Sequence, residues 1–555
     1  MRRVAWTRNF AMHLNGAPRT ARWPVAHGVL LLGVLALGVA LRLSCAQRPL
    51  WIDEAWVLNS VRSASLAEMF GYRDWVQTTP PGLLVLLRGV AQALPQATDE
   101  LRWLFILCGI ATLLLFVRLA STFSARGFLC LACATFALSP EIVWNATEFK
   151  QYGVDALVMI VSLLCGAAYI QRPTRRAYTR WCAINLVCLP LSFSAVFTLP
   201  AMLVVGVLLG DAPSWRGRLR AVLPHTLLAV VAVGVLYGVF VRPHAALASL
   251  EKFWAQGFYA TSGESLRLYV RRHLSGLFGF LDIVIAPVAT VAMLAGCCAL
   301  GMHALWRARG TTPARALAWM ALLALPVAAT LAANFIGSYP LGEYRLVAFL
   351  APCLIILLAL GLEHAARALL WRCDSRTRQG WVDGLGMAAA LAMTVYTAMA
   401  LNFLPWGAHR DGGARLWRGN SEILPALRYL REVDSLGRPL FVHAAYQQLF
   451  TLYTRAAPLQ APVSFAETGW PCCVPGRPWR GYAPTSDEVA WEVARLIEAH
   501  GQAPFHALLY ARPSWPSRDS VMLYEAAFAA HHCAIDRRYT SYRVVLMRVT
   551  CSASG

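Results

Sequence analysis

Charge is scarce in this sequence. Asp, Glu, Lys and Arg together make up 14% of its 555 residues, and only 29 residues are acidic. A soluble chain of that length needs far more polar surface, so a water-soluble globular protein is excluded. Acids are missing altogether from residues 1–24, which carry Arg2, Arg3, Arg8, Arg19 and Arg22. No internal repeat is present, which argues against carriers built from duplicated halves. Cys130-Leu131-Ala132-Cys133 has a metal-like spacing but no second ligand pair, so helix packing explains it better.

What is abundant is apolar. Hydrophobic residues reach 58% and the mean hydropathy is +0.50, as in a mainly α polytopic membrane protein. The net charge of +21 would suggest nucleic acid in a soluble domain. Here the basic residues cluster in short stretches between apolar runs, the pattern of cytoplasmic loops, so no nucleic-acid partner is expected. Most of the fifteen cysteines lie within apolar runs, where Cys acts as a small apolar residue.

The first apolar run, Val25 to Leu43, reads as a retained helix following a cytoplasmic tail of residues 1–24. Further spans are expected near 101–119, 127–141, 153–171, 181–193, 195–210, 221–241, 283–304, 316–334, 346–362 and 381–402. That makes about eleven membrane helices in a domain over 25–402. Residues 181–210 hold Leu189-Pro190 and Ser192-Phe193-Ser194, which suit two short helices or one kinked one. Basic loops then alternate to the cytoplasm, leaving the first outside loop at 44–100 and the C-terminus outside. Helices over 54–70 and Leu83 to Leu94 are expected to lie along the membrane surface.

Beyond Asn402 the composition shifts to shorter apolar runs, clustered prolines and mixed charge. Strands are expected at Pro439–Ala444, Phe505–Ala511 and Tyr542–Val549, with helices at Leu424–Glu432, Asp487–His500 and Ser520–His531. Residues 403–555 thus form a small extracytoplasmic α/β domain, periplasmic in a bacterium. A disulfide among Cys472, Cys473, Cys533 and Cys551 is open in that compartment, with its pairing unassigned.

The chemistry is expected around Trp51-Ile52-Asp53-Glu54-Ala55-Trp56. Two carboxylates between tryptophans, just past a membrane span, suit reaction chemistry at the surface, although an acidic helix start also fits. Two other outside loops bring acid, base and tyrosine together: Glu148-Phe149-Lys150-Gln151-Tyr152, and Tyr339-Pro340-Leu341-Gly342-Glu343-Tyr344-Arg345. The Lys150 and Arg345 cations suit a phosphate-linked substrate, or else anchor the chain by snorkelling. Asn145-Ala146-Thr147 matches a glycosylation acceptor pattern of low specificity.

This order of motifs resembles the GT-C membrane glycosyltransferases, in the bacterial branch similar to protein O-mannosyltransferases and to the transferase that adds aminoarabinose to lipid A. The resemblance implies transfer of a sugar from a polyprenyl-phosphate donor to an acceptor hydroxyl on the non-cytoplasmic face of a bacterial inner membrane, with inversion. The acceptor would be a glycan, lipid or protein of the cell envelope, and membrane lipids would surround the enzyme. By the same resemblance Asp53 is the base, Glu54 its catalytic neighbour, and Lys150, Tyr152, Tyr344 and Arg345 the donor-phosphate residues. Glu148 and Glu343 would serve the acceptor or a divalent ion, magnesium or manganese. Lysine stands at 150 where relatives often have arginine, and no Asp-X-Asp-like pair is present, which leaves metal dependence open. The alternative is a transporter or flippase for a lipid-linked sugar. The loop 242–282, with Lys252, Trp254, Tyr259, Arg267, Arg271, Arg272 and His273, reads as a cover for the site or as another basic surface helix.

Overall fold

The computed structural model describes residues 25–71, 79–124, 126–242, 255–281, 287–307, 312–341, 344–403, 423–433, 437–455, 458–466, 485–511, 520–540 and 544–552. Among them, six helical segments are long and apolar enough to cross a membrane: Val25–Ser44, Asp99–Ala120, Tyr152–Gln171, Trp215–Val241, Pro313–Phe335 and Tyr344–Leu369. The helix pair Arg126–Leu138 and Pro140–Thr147, bent by 54°, makes a seventh if it crosses as one span. The expected spans near 283–304 and 381–402 also lie on long helices, Pro287–Arg307 and Ser375–Phe403. The expected spans at 181–193 and 195–210 fall on helices of only 14 and 11 residues, Arg175–Cys188 and Leu199–Leu209.

The helices used below are α1 (Val25–Ser44), α2 (Ile52–Val61), α3 (Pro81–Ala93), α4 (Trp103–Ala120), α5 (Arg126–Leu138), α6 (Pro140–Thr147), α7 (Tyr152–Gln171), α8 (Arg175–Cys188) and α9 (Leu199–Leu209). Their ends follow local chemistry. Pro140 has no N–H, so the carbonyl of Phe136 loses its helical donor and the chain bends between α5 and α6. The guanidinium of Arg42, at the end of α1, fills the gap by donating to Phe136 and Ala137 carbonyls at 3.5 and 2.9 Å. Residues 181–210 form two helices, because Pro190 and the Ser192 turn interrupt them. The Pro190 carbonyl accepts from the Gly82 N–H at 2.7 Å. A Cβ at Gly82 would lie 2.8 Å from that oxygen, so only glycine fits the start of α3. Asn145 is buried, with its amide bonded to the Glu141 carbonyl, which rules it out as a glycan acceptor in the folded chain.

The C-terminal region is a sheet between helices. Its strands are β1 (Leu440–Val442), β2 (Val463–Phe465), β3 (Phe505–Tyr510), β4 (Cys533–Thr540) and β5 (Val544–Cys551), in the order β2-β1-β3-β5-β4. β2, β1 and β3 run parallel, and β5 is antiparallel to both neighbours. Period-two alternation divides the faces. Leu440, Val442, Leu508, Val544 and Leu546 share a core with α10 (Ile423–Val433) and α11 (Gln447–Thr454). Phe441, Ala507, Leu509, Met547 and Val549 face α12 (Ser486–His500) and α13 (Ser520–Ala530). The first of these cores continues without a break into α2 and α3, so the sheet region rests directly on the segment bearing Asp53 and Glu54. Cys533 and Cys551 face each other across β4 and β5 and form a disulfide; Cys472 and Cys473 lie outside the described residues.

Candidate active site

The first turn of α2 exposes two carboxylates to opposite surroundings. Trp51, in extended conformation, is the residue before the helix, and the Glu54 carboxylate reaches back to accept its N–H at 2.9 Å. That closure satisfies an orphan donor of the helix start and points Glu54 inward. Asp53, one residue earlier, is turned to the other side and stays 17% exposed.

Glu54 is fully buried and fully engaged. Arg102 grips it with two bonds of 2.5 and 2.9 Å, and the Phe149 amide donates at 2.6 Å. The Arg48 guanidinium lies 3.6 Å away and is itself stacked on Trp144 at 3.6 Å. Burial alone would raise the Glu54 carboxyl, but Arg102, Arg48 and the Phe149 amide outweigh it and hold the pKa below the ordinary value. Arg102 also donates to the Thr147 and Pro49 carbonyls at 3.0 and 3.2 Å. Glu54 is thus the knot that ties α2 to the 147–149 turn.

Asp53 meets Arg345, whose guanidinium donates to it at 2.8 Å. Lys150 and Glu148 complete the group, brought in by the turn after α6, where the Lys150 N–H bonds the Glu148 carbonyl at 2.7 Å. The Lys150 side chain is buried, and among the described residues its ammonium makes no hydrogen bond or ion pair. Burial pulls its pKa down, Asp53 and Glu148 push it back up, and Arg345 adds to the lowering; the net shift is downward. Glu148 is also buried. It accepts from the indole N–H of Trp51 at 2.5 Å, while its second oxygen has no partner among the described residues. Burial and neighbouring Glu54 push its carboxyl up to about 7 against the pull of Arg345 and Arg48. The Trp51 ring lies 5.8 Å below the Arg345 guanidinium, which joins both charge groups.

Of the residues singled out from sequence, Asp53, Glu54, Glu148, Lys150 and Arg345 converge. Tyr344 packs against Gly279 and the Phe280 ring, and its hydroxyl has no partner among the described residues. Tyr152 lies instead within electrostatic reach of Tyr339. Glu343, Lys252 and Trp254 lie outside the described residues. The expected cover is tied down where it is described: Asn334 donates to Gly257 and Tyr339 carbonyls at 2.7 and 2.9 Å, and Tyr269 reaches Asn334 at 2.8 Å. Arg48 and Arg102 were not anticipated from the sequence. Their signal was position: Arg48 lies in a loop read as outside and Arg102 just inside an expected span, and a buried guanidinium in either place needs an acid. Buried Asp155 was also missed; it accepts from Ser192 at 2.5 Å, with Ser194 2.7 Å beyond. Among the described residues no three His, Cys, Asp or Glu side chains are placed to hold a metal ion.

No family model matches this sequence, and no curated protein matches it. Solved structures do. The crystal structure of ArnT from Cupriavidus metallidurans in the apo state aligns over 95% of this chain and 98% of its own, at 16% identity and a TM-score of 0.50. The same protein bound to undecaprenyl phosphate aligns over the same shares at 16% identity with a TM-score of 0.45. The archaeal oligosaccharyltransferase AglB from Archaeoglobus fulgidus, in complex with an inhibitory peptide and a dolichol-phosphate, covers 92% of this chain and 72% of its own, at 13% identity and a TM-score of 0.47. At such identities the apo ArnT match establishes fold alone, and that fold is the GT-C one implied by the order of motifs.

Proposed function

We propose that this GT-C bundle transfers a sugar from a polyprenyl-phosphate carrier to an acceptor hydroxyl at the outer face of a bacterial inner membrane, with residues 403–555 on that same side. The observation that carries the reading is the meeting of Asp53 with Arg345 beside buried Lys150. A carboxylate, a planar cation and a desolvated ammonium, drawn from three distant loops, are suited to holding a phosphate while a neighbouring hydroxyl loses its proton.

The proposed steps follow. Lys150 and Arg345 bind the carrier phosphate and stabilise the charge that grows on it as the glycosidic bond breaks. Binding draws Arg345 from Asp53 toward the phosphate and leaves the carboxylate free. Asp53 then takes the acceptor proton as the hydroxyl attacks the anomeric carbon from the face opposite the phosphate, inverting it. Glu148 orients the acceptor. The undecaprenyl phosphate seen in ArnT is of the carrier class proposed. These steps are written without a divalent ion.

The test is purified protein in detergent with a panel of polyprenyl-phosphate sugars, comparing wild type with Asp53→Asn. Release of polyprenyl phosphate that depends on the sugar and on Asp53 supports transfer. Translocation of the carrier without that release supports transport of a lipid-linked sugar instead. Equal turnover by the variant removes Asp53 from the mechanism, and a chelator arm decides the metal question.

A further inference from the structure

The segment bearing Asp53 is held from the far end of the chain. Leu50, two residues before α2, donates its N–H to the Tyr453 hydroxyl at 2.8 Å across 403 residues. That hydroxyl in turn donates to Asp99 at 2.8 Å, and Asp99 accepts the same Leu50 N–H at 3.3 Å. Near the other end of α2, the buried Asn59 amide donates to the backbone and side-chain oxygens of Gln448 at 3.0 and 3.3 Å. Arg455 reaches the Arg62 carbonyl just past the helix at 3.3 Å. All three holding residues belong to α11 or its C-terminal flank, in the sheet region. Between these ties lie Val57, Leu58 and Val61 of α2, in one core with Leu449, Phe450 and Leu452 of α11.

We infer that Tyr453 and Gln448 are positioning residues for the carboxylate on α2, so that the C-terminal α/β region is a working part of the site rather than an appended module. The physical reason is register. Leu50 precedes Trp51, whose indole holds Glu148 and lies beneath Arg345. A shift of Leu50 therefore moves the floor of the whole charge cluster. Misplacement of a reacting group by about 1 Å costs about a hundredfold in rate. Two polar ties at opposite ends of a ten-residue helix fix both its slide and its rotation. The buried ties on Leu50 and Asn59 are also specific in a way that apolar packing alone is not.

This inference rests on the sugar-transfer reading for its kinetic test, and a second readout does not. Tyr453→Phe removes one hydroxyl and keeps the ring. The expected result in the full-length enzyme is a kcat lowered about tenfold to a hundredfold with the donor KM within about twofold. Amide hydrogen exchange over residues 50–61 is expected to accelerate selectively. Asn59→Leu should act in the same direction. Val549→Ala serves as the control, since Val549 is buried on the sheet face turned to α12 and α13. It should lower the thermal midpoint and leave kcat unchanged. Unaltered exchange and rate in Tyr453→Phe overturn the inference, as does a loss of rate that merely tracks thermal stability in both variants. Should wild type turn over no donor, the sugar-transfer reading fails by itself. Exchange then decides alone: acceleration in Tyr453→Phe supports the positioning role, and its absence overturns it.

Discussion

Arg345 donates to Asp53 at 2.8 Å across 292 residues of chain. In the proposed reaction this one arginine serves the acid while no phosphate is bound and turns to the phosphate when it arrives. Asp53→Asn is expected to lower turnover by about 10²–10⁴-fold, the usual contribution of a positioned base. Arg345→Lys keeps the charge but loses the forked geometry, so the donor KM should rise by about tenfold while the protein still folds. Steady-state release of polyprenyl phosphate measures both.

Glu148 gives a pH signature with a definite sign. Its carboxyl is raised by burial to about 7 in the folded protein from an ordinary 4.5. Between those values the unfolded chain has lost a proton that the folded chain keeps, so this group's contribution to stability falls as pH rises through that window and is constant above it. Glu148→Gln should remove that slope and stabilise the protein at pH 8 by up to roughly 3 kcal/mol. Thermal unfolding in detergent, followed from pH 5 to pH 8, is the measurement.

Glu54 should behave in the opposite manner to its neighbour. It is fully buried between Arg102 and Arg48, so Glu54→Gln strands two guanidiniums away from water. Removing one partner of a buried pair costs about 3–5 kcal/mol. The expected outcome is poor yield and a sharply lower thermal midpoint. Asp53→Asn, at the partly exposed site, should lose activity at nearly native stability.

The Cys533–Cys551 disulfide closes a loop with a sequence separation of 18. Replacing both cysteines with serine should cost about 3 kcal/mol by the loop-entropy estimate. Maleimide labelling of the denatured protein with and without reductant reads the bond, and an exported sheet region predicts that Cys533 and Cys551 label only after reduction.

That Asp53 and Glu54 gather charged partners was legible because carboxylates beside a membrane span need them; their part in transfer is a proposal. Lys150 and Arg345 were legible for the same reason in cationic form. The division of labour inside the dyad was not. Period and spacing cannot say that Glu54 turns inward to Arg102, because the partner arrives from 48 residues away. Strands β1, β3 and β5 were legible as apolar runs, and the helices beside them by their periodicity. β2 and β4 were missed because they are the sheet's edges. β4 carries Asp536, Arg537 and Arg538 among mostly exposed positions, which is what keeps an edge from pairing with another chain. What the sequence does not show is that residues 181–210 fold as two short helices, because an apolar run reveals burial, while only folded length separates a long helix from a short one interrupted by Pro190.

Trp51 contributes its two chemical faces to two different clients. The ring sits under the Arg345 cation, while the indole N–H is committed to Glu148. A phenylalanine at this position would keep the quadrupole and delete the donor. One substitution can therefore withdraw the hydrogen bond from Glu148 while the ring stays beneath Arg345, which separates two contacts that meet in a single side chain.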